Sequence, residues 1–528
     1  MSSYIFISIF ILSSLSLASD LESLINGTAT TDEQVALSQQ TRLSEAIQSQ
    51  LKVTTADQNI FLRYIEKQDW KKSFISWSKA FNGTPFEKTE NGKALSAYVI
   101  FKSGLEITGL EKLFTIIEPK NINTEITHSW KEANTEENPI WEVAKIEWND
   151  GWTQVFGRSS EVKSRLRQID LKTSTSMLTD MASKLAANTK ERALVDWQLA
   201  LSYALNDKAD EAAKLIGQLL KNKKSPYSED LVNLTAGRLL FQKGYFEASA
   251  KYYEKILKKS DYWLEAQEEL AWSYLRKGET QNSVAISKTL MNVAFDGYLG
   301  PEPYFVETLG RLKVCDYPKV MEGLKQFPKK FKSRTVELDK LAKGEKVDFL
   351  DSIVNKIKTE KMTWSNMGKD MSNLPRAMIK DYKLIQLISA QNLFEKESLV
   401  SDNLYADTLA LTGLQGDFQI LKNSTTSKKI ESRSATVQRI KDLARIEVAE
   451  TKKILDKLQI VEAELVSQID LSGQIIKDST KKEAEIKKGS MGLRKTEALV
   501  FPAESEIWFD ELSNYNVDVK KGCQAIKR

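Results

Sequence analysis

"AGRLLFQKGYFEASAKYYEKIL", residues 236–257, and "LAWSYLRKGETQNSVAISKTLM", residues 270–291, decide the fold because they are two copies of one unit. Gly244 and Gly278 lie 34 residues apart and mark equivalent turns. Gly237 and Ala271 stand seven residues before those turns, where two helices must approach closely, and Leu240 and Tyr274 stand four before. Ser249 and Ser283 stand five after, at the crossing, where a large side chain would not fit. Each copy therefore reads as a helical hairpin that buries its apolar face only by stacking on its neighbour.

An earlier copy stands in "DWQLALSYALNDKADEAAKLIGQLL", residues 196–220, with Ala200, Tyr203 and Ala212 in matching places and Asp207 at the turn; the polar loop "KNKKSPYSED" absorbs its longer spacing. A weaker copy follows in "FVETLGRLKVCDYPKVMEGLKQF", residues 305–327, where Cys315 takes the turn-glycine place. The period and the small-residue positions resemble a tetratricopeptide repeat, although Ser287 replaces an aromatic and Ile256 an alanine. That resemblance implies a groove lined by the first helix of each pair, which places Arg238, Phe241 and Gln242 in one repeat and Glu268, Trp272 and Arg276 in the next on a protein-binding face. The other reading of Phe241 and Trp272 is that they pack against the neighbouring helix.

Outward from the repeats, helical spacing continues in both directions. The expected segments are a signal peptide at 1–18, a polar segment with one helix at 19–59, degenerate helical hairpins at 60–190, the repeats at 191–333 and further hairpins at 334–423. The polar run "NSTTSKKIESRS" reads as a break before a long amphipathic helix or helical hairpin at 435–490, and 491–528 reads as an aromatic and acidic docking tail. On the long helix, Val437, Ala444, Leu458 and Leu465 fall at heptad a and Ile440, Ile454 and Val461 at d, with Glu447 and Thr451 interrupting. It reads either as a brace on the array or as half of a coiled coil. The fold class expected is all-α, a helical-hairpin solenoid closed by that helix.

The run from Tyr4 to Leu17, with Ser16 and Ala18 before a cleavage point, predicts export to the periplasm or outer envelope, with the segment either cleaved or retained as an anchor. No later stretch has the 18 apolar residues of a membrane span. Lys plus Arg (76) nearly balance Asp plus Glu (72), so no nucleic-acid partner is expected. His128 is the only histidine and Cys315 and Cys523 the only cysteines, which leaves no His-based triad or histidine and cysteine metal site, and no cofactor is expected. Trp141, Trp148 and Trp152 alternate with acids as in a glycan site, but read first as buried anchors.

The tail, "FPAESEIWFDELSNYNVDVKKGC" at 501–523, resembles the closing motif of cell-envelope tetratricopeptide proteins of gliding and predatory Gram-negative bacteria, some of them labelled adventurous-gliding-motility proteins. "PEPYFVETLGRLKVCDYPKVMEGLKQFPKKF", with Cys-x-Tyr at its turn, resembles the same family; Ile507 departs from it where a tyrosine is usual. The resemblance implies a non-catalytic scaffold that binds other envelope proteins, in a motility or envelope-assembly complex. The alternative is a peptidoglycan-turnover enzyme using Glu504 or Glu506 as its acid. Trp508, Phe509 and Tyr515 are the expected docking aromatics of the tail. In an oxidising compartment Cys315 and Cys523 form either a disulfide or two separate thiols.

Overall fold

The computed structural model describes residues 31–51, 54–135, 138–360, 367–411, 413–472, 499–500 and 515–517. Among these the regular elements are helices, joined by turns, except for one two-residue parallel pairing, β1 (Leu499–Val500) with β2 (Tyr515–Asn516). It divides into two compact units, one made of residues 1–167 and 389–432 and the other of 168–388 and 433–528.

The first unit contains α1 (Thr31–Gln50), α2 (Ala56–Glu66), α3 (Trp70–Phe81), α4 (Glu90–Lys102), α5 (Glu106–Leu113), α6 (Thr124–Ala133) and α7 (Asp150–Arg167), the last broken at Gly157. Its core is aromatic: Phe61, Phe81, Trp130, Trp141 and Trp152 are almost wholly buried, and Phe114 has Trp141, Trp148, Trp152 and Phe156 around it. Trp141 and Trp152 are thus core anchors, with Trp148 packed on the same cluster. Parts of α18 (Tyr382–Thr408) and α19 (Gln415–Ser472) complete this unit. Glu397 of α18 accepts hydrogen bonds from the backbone N–H and the hydroxyl of Thr108, both at 3.0 Å, so its carboxylate meets the unpaired donors in the first turn of α5.

The second unit contains α8 (Thr175–Ser183) and the repeats, made by α9 (Lys190–Leu205) with α10 (Ala209–Lys221), α11 (Glu229–Gln242) with α12 (Phe246–Glu254), α13 (Trp263–Lys277) with α14 (Thr280–Leu290), and α15 (Glu302–Lys313) with α16 (Tyr317–Lys343); α17 (Val347–Thr359) follows. The four turn residues Asp207, Gly244, Gly278 and Cys315 all adopt left-handed backbone, with φ of 59°, 82°, 90° and 58°. After each, the next N–H reaches back five residues to a helix carbonyl: Lys208 to Tyr203, Tyr245 to Leu240, Glu279 to Tyr274 and Asp316 to Arg311, at 2.8–2.9 Å. The four hairpins therefore share one helix-ending motif that satisfies carbonyls left over at the helix end. The crossing repeats as well: Ser249 Oγ donates to the Gly237 carbonyl at 2.8 Å, and Ser283 Oγ donates to that of Ala271 at 2.7 Å. In the fourth hairpin Thr308 and Val320 take those two places.

Two expectations change. The polar run at 423–434 is not a break but lies inside α19, because its hydroxyls bond back to the helix and to a neighbour: Thr425 Oγ1 is 3.2 Å from the Leu421 carbonyl and 2.5 Å from Ser401 Oγ. The fourth repeat does not stop near residue 333, since α16 continues through the exposed Pro328 to Lys343 on the buried Phe327, Phe331, Leu338 and Leu341. After Pro375 comes a 3-10 turn, Arg376–Lys380, and Asp381 caps α18 by accepting from the Leu384 N–H at 2.7 Å. Residues 1–18, expected as a signal peptide, and the tail residues Glu504, Glu506, Trp508, Phe509 and Cys523 lie outside the described residues.

Candidate functional site

The heptad seam of α19 is buried within the second unit. Ile454, Leu458, Val461 and Leu465 pack with Phe305, Leu312, Val320, Phe327 and Phe331, and Tyr317 donates to Gln468 at 3.1 Å. Arg334 meets Glu447 nearer the other end, so the helix lies antiparallel along α16. The residues that interrupt the seam are buried with it. Glu447 Oε1 accepts from Arg334 Nε and Oε2 from the Arg376 backbone N–H, both at 2.8 Å, and Thr451 bonds back to the Glu447 carbonyl. The long helix is therefore a brace on the repeats, and it covers part of the face formed by their first helices.

Beyond that covered part a cleft of about 410 Å³ remains open, lined by Arg238, Phe241, Gln242, Tyr253, Glu269, Trp272, Arg276, Glu302 and Lys457. Its walls are held by contacts between successive first helices. Arg238 donates to both carboxylate oxygens of Glu269, at 2.6–3.1 Å, and Trp272 Nε1 donates to Glu302 at 2.9 Å while its ring lies 5.7 Å from that of Phe305. Phe241 turns edge-on to Phe246 of its own hairpin, with centroids 5.1 Å apart. Lys457 reaches in from α19 with its ammonium 5.0 Å above the Phe305 ring. Gln242 and Arg276 are exposed. The cleft thus offers aromatic surface beside cationic groups, a combination suited to holding a peptide side chain and its carboxylate.

Of the six residues expected on the groove, five line this cleft and Glu268 does not; its neighbour Glu269 does. Burial pushes the Glu268 carboxyl up to about 7; the Arg376 charge opposes this, and the carboxylates of Glu302, Glu269 and Glu265 add to it. Trp272 serves both readings, since it packs on the next repeat and still faces the cleft. Lys457 was beyond the reach of repeat-position transfer because it comes from a helix outside the repeats. Tyr253 and Glu302 were missed for a related reason, standing outside the inner-face places of the two repeats compared.

Cys315 is disulfide-bonded and none of the described residues is a free cysteine. Tyr515 lies in β2, and Val517, directly after that strand, is buried against Val284 and Ala285 of α14. Among the described residues no group of three or more His, Cys, Asp or Glu side chains is placed to hold a metal ion, and no helix is long and apolar enough to cross a membrane. No family model matches the chain, and no curated protein matches it.

Proposed function

We propose that this chain is a non-catalytic scaffold of the bacterial cell envelope that binds other envelope proteins through the open end of its repeat groove, in a motility or envelope-assembly complex. The observation that carries the reading is the convergence of Arg238, Phe241, Gln242, Trp272 and Arg276 with Lys457 on one cleft. Aromatic and arginine side chains are the commonest anchors of protein interfaces, and here they come from rigid helices. Export rests on the apolar run and small residues at 4–18, and the envelope setting on the resemblance of the tail.

The test is affinity capture from envelope extract with the intact protein and with Arg276→Glu. Arg276 is exposed at the cleft, so its charge reversal leaves the fold alone while reversing the sign presented to a partner. Loss of a specific protein from the Arg276→Glu eluate supports the groove, and an unchanged set of captured proteins counts against it. Trp272→Ala is the weaker probe, because Trp272 also joins α13 to α15 through Glu302 and Phe305.

A further inference from the structure

A second cavity of the repeat unit, about 500 Å³, is walled by the turn after α14, by α15 and α16 and by residues 371–373, and it shares no lining residue with the groove cleft. Its volume falls among those of small-molecule sites, about 300–1,000 Å³. All four charged side chains on its wall are paired inside the protein. Lys330 pairs with Asp296, Glu337 pairs with Lys340 at 3.1 Å and with Lys346, and Arg334 donates to Glu447 and to the carbonyls of Met371, Ser372 and Leu374. A charged occupant would meet no unpaired counter-charge, so the cavity favours a neutral one. Three uncharged polar side chains on the same wall are different: the Tyr304 hydroxyl, the Ser333 hydroxyl and the Asn373 carboxamide have no hydrogen-bond partner among the described residues. Burial, with the Asp296 charge nearby, pushes the Tyr304 phenol up, so it remains a hydroxyl able to donate.

We infer that this cavity binds a neutral N-acetylated sugar. A sugar ring joins an apolar face of C–H bonds to a rim of hydroxyls, and those C–H bonds, polarised by the ring oxygens, are drawn to the negative face of an aromatic ring. The half-buried Phe295 and Tyr298 supply aromatic surface, and Tyr304 is held edge-on to the buried Phe331 with centroids 5.2 Å apart. The hydroxyls of Tyr304 and Ser333 both donate and accept, as the rim of a sugar does. The Asn373 carboxamide has donors and an acceptor, so it matches the N–H and the carbonyl of an acetamido group, while the Met291 thioether on the same wall suits the acetamido methyl. A wholly apolar occupant would instead displace water from all three polar groups and give them nothing in return. Paired charges, unpaired neutral polar groups and aromatic surface in one cavity thus select an uncharged ligand that is polar at its edge and apolar on its face.

Saturation-transfer NMR on the full chain with N,N′-diacetylchitobiose tests this. The expected result is transfer to the acetamido methyls and ring protons, with a Kd in the millimolar range. Tyr304→Phe and Asn373→Ala, each removing one neutral hydrogen-bonding group, should weaken binding about fivefold or more. The first keeps the ring, and the second removes a side chain with no partner in the protein, so both leave the fold in place. Gln242→Ala, in the groove cleft, should bind the sugar as the parent does. Cellobiose has the same pair of rings without the acetamido groups and should bind more weakly. So should the disaccharide of N-acetylglucosamine and N-acetylmuramic acid, whose lactyl carboxylate brings a charge. Absence of transfer to diacetylchitobiose, or transfer unchanged in both variants, would overturn the site. Equal binding of cellobiose would overturn the N-acetylated ligand, and tighter binding of the muramic acid disaccharide the neutral one.

Discussion

Arg334 Nε donates to Glu447 Oε1 across 2.8 Å, joining α16 to α19 in the middle of a buried helix seam. The same Glu447 accepts the Arg376 N–H, and the same Arg334 closes three carbonyls between 371 and 374. Removing the carboxylate strands a guanidinium in a nearly dry place, which costs far more than the pair itself contributes. Glu447→Ala should lower the stability of the repeat unit by about 3–5 kcal/mol. Glu450→Ala, which removes an exposed partner of Arg376, should cost less than about 1 kcal/mol. Chemical denaturation followed in the repeat unit compares the two; equal losses would show that the buried cluster has no special weight.

That cluster also marks where the sequence was readable and where it was not. The turn positions were legible even without glycine: Asp207 and Cys315 take the left-handed backbone that alignment with the Gly244 and Gly278 turns assigns to them, because a helix end needs that geometry whichever residue supplies it. The heptad seam was legible too, but Glu447 and Thr451 read as its faults, since one helix's pattern does not show that a buried arginine waits on another. The serine and threonine run at 423–434 failed for a similar reason. Polarity signals a loop unless a partner such as Ser401 is known to face it. Five of the residues that repeat position puts on one face line one cleft, whereas Lys457 needed the fold to bring it there.

Gly237 belongs to the crossing of α11 and α12. A Cβ at this position would lie 2.4 Å from Tyr253 Cε1, and the tyrosine ring is fully buried. Gly237→Ala should destabilise the repeat unit by about 1–3 kcal/mol despite the better helix propensity of alanine. Gly217→Ala, in α10 where nothing lies within 4 Å of the added carbon, should instead stabilise by up to about 1 kcal/mol. Thermal unfolding of both variants gives the signs, and a neutral Gly237→Ala would mean that the hairpin can open at no cost.

Cys315 combines a left-handed backbone with a disulfide. Peptide mapping without reductant should find it linked to Cys523, and free thiols at both positions would defeat that pairing. Closing a loop of some two hundred residues contributes up to about 4–5 kcal/mol by chain entropy, less any native strain. Reduction should therefore lower the unfolding midpoint markedly. Once the bond is gone, only the backbone term remains: Cys315→Gly should be more stable than the reduced parent by about 1 kcal/mol, because glycine carries no penalty at positive φ. An unchanged midpoint in that comparison would show that the turn is relaxed as it stands.

Glu268 gives the repeat unit a pH dependence near neutrality. Burial, reinforced by Glu302, Glu269 and Glu265, lifts its carboxyl from an ordinary 4.5 to about 7. A folded-state value above the unfolded one means that the protonated form is favoured by folding. The stabilising contribution is complete below about pH 4.5 and is lost as pH rises through about 7. Arg376 lowers the cost of the charged form but is already shared with Glu447 and Glu450, so it does not cancel the burial. Glu268→Gln keeps the shape and removes the titration. Relative to the parent it should be nearly neutral at pH 5 and more stable at pH 8, by about 1–3 kcal/mol after allowing for the carboxyl's partial exposure. Denaturation midpoints at the two pH values read this directly. A Glu268→Gln difference of the same size at both would place the titration elsewhere.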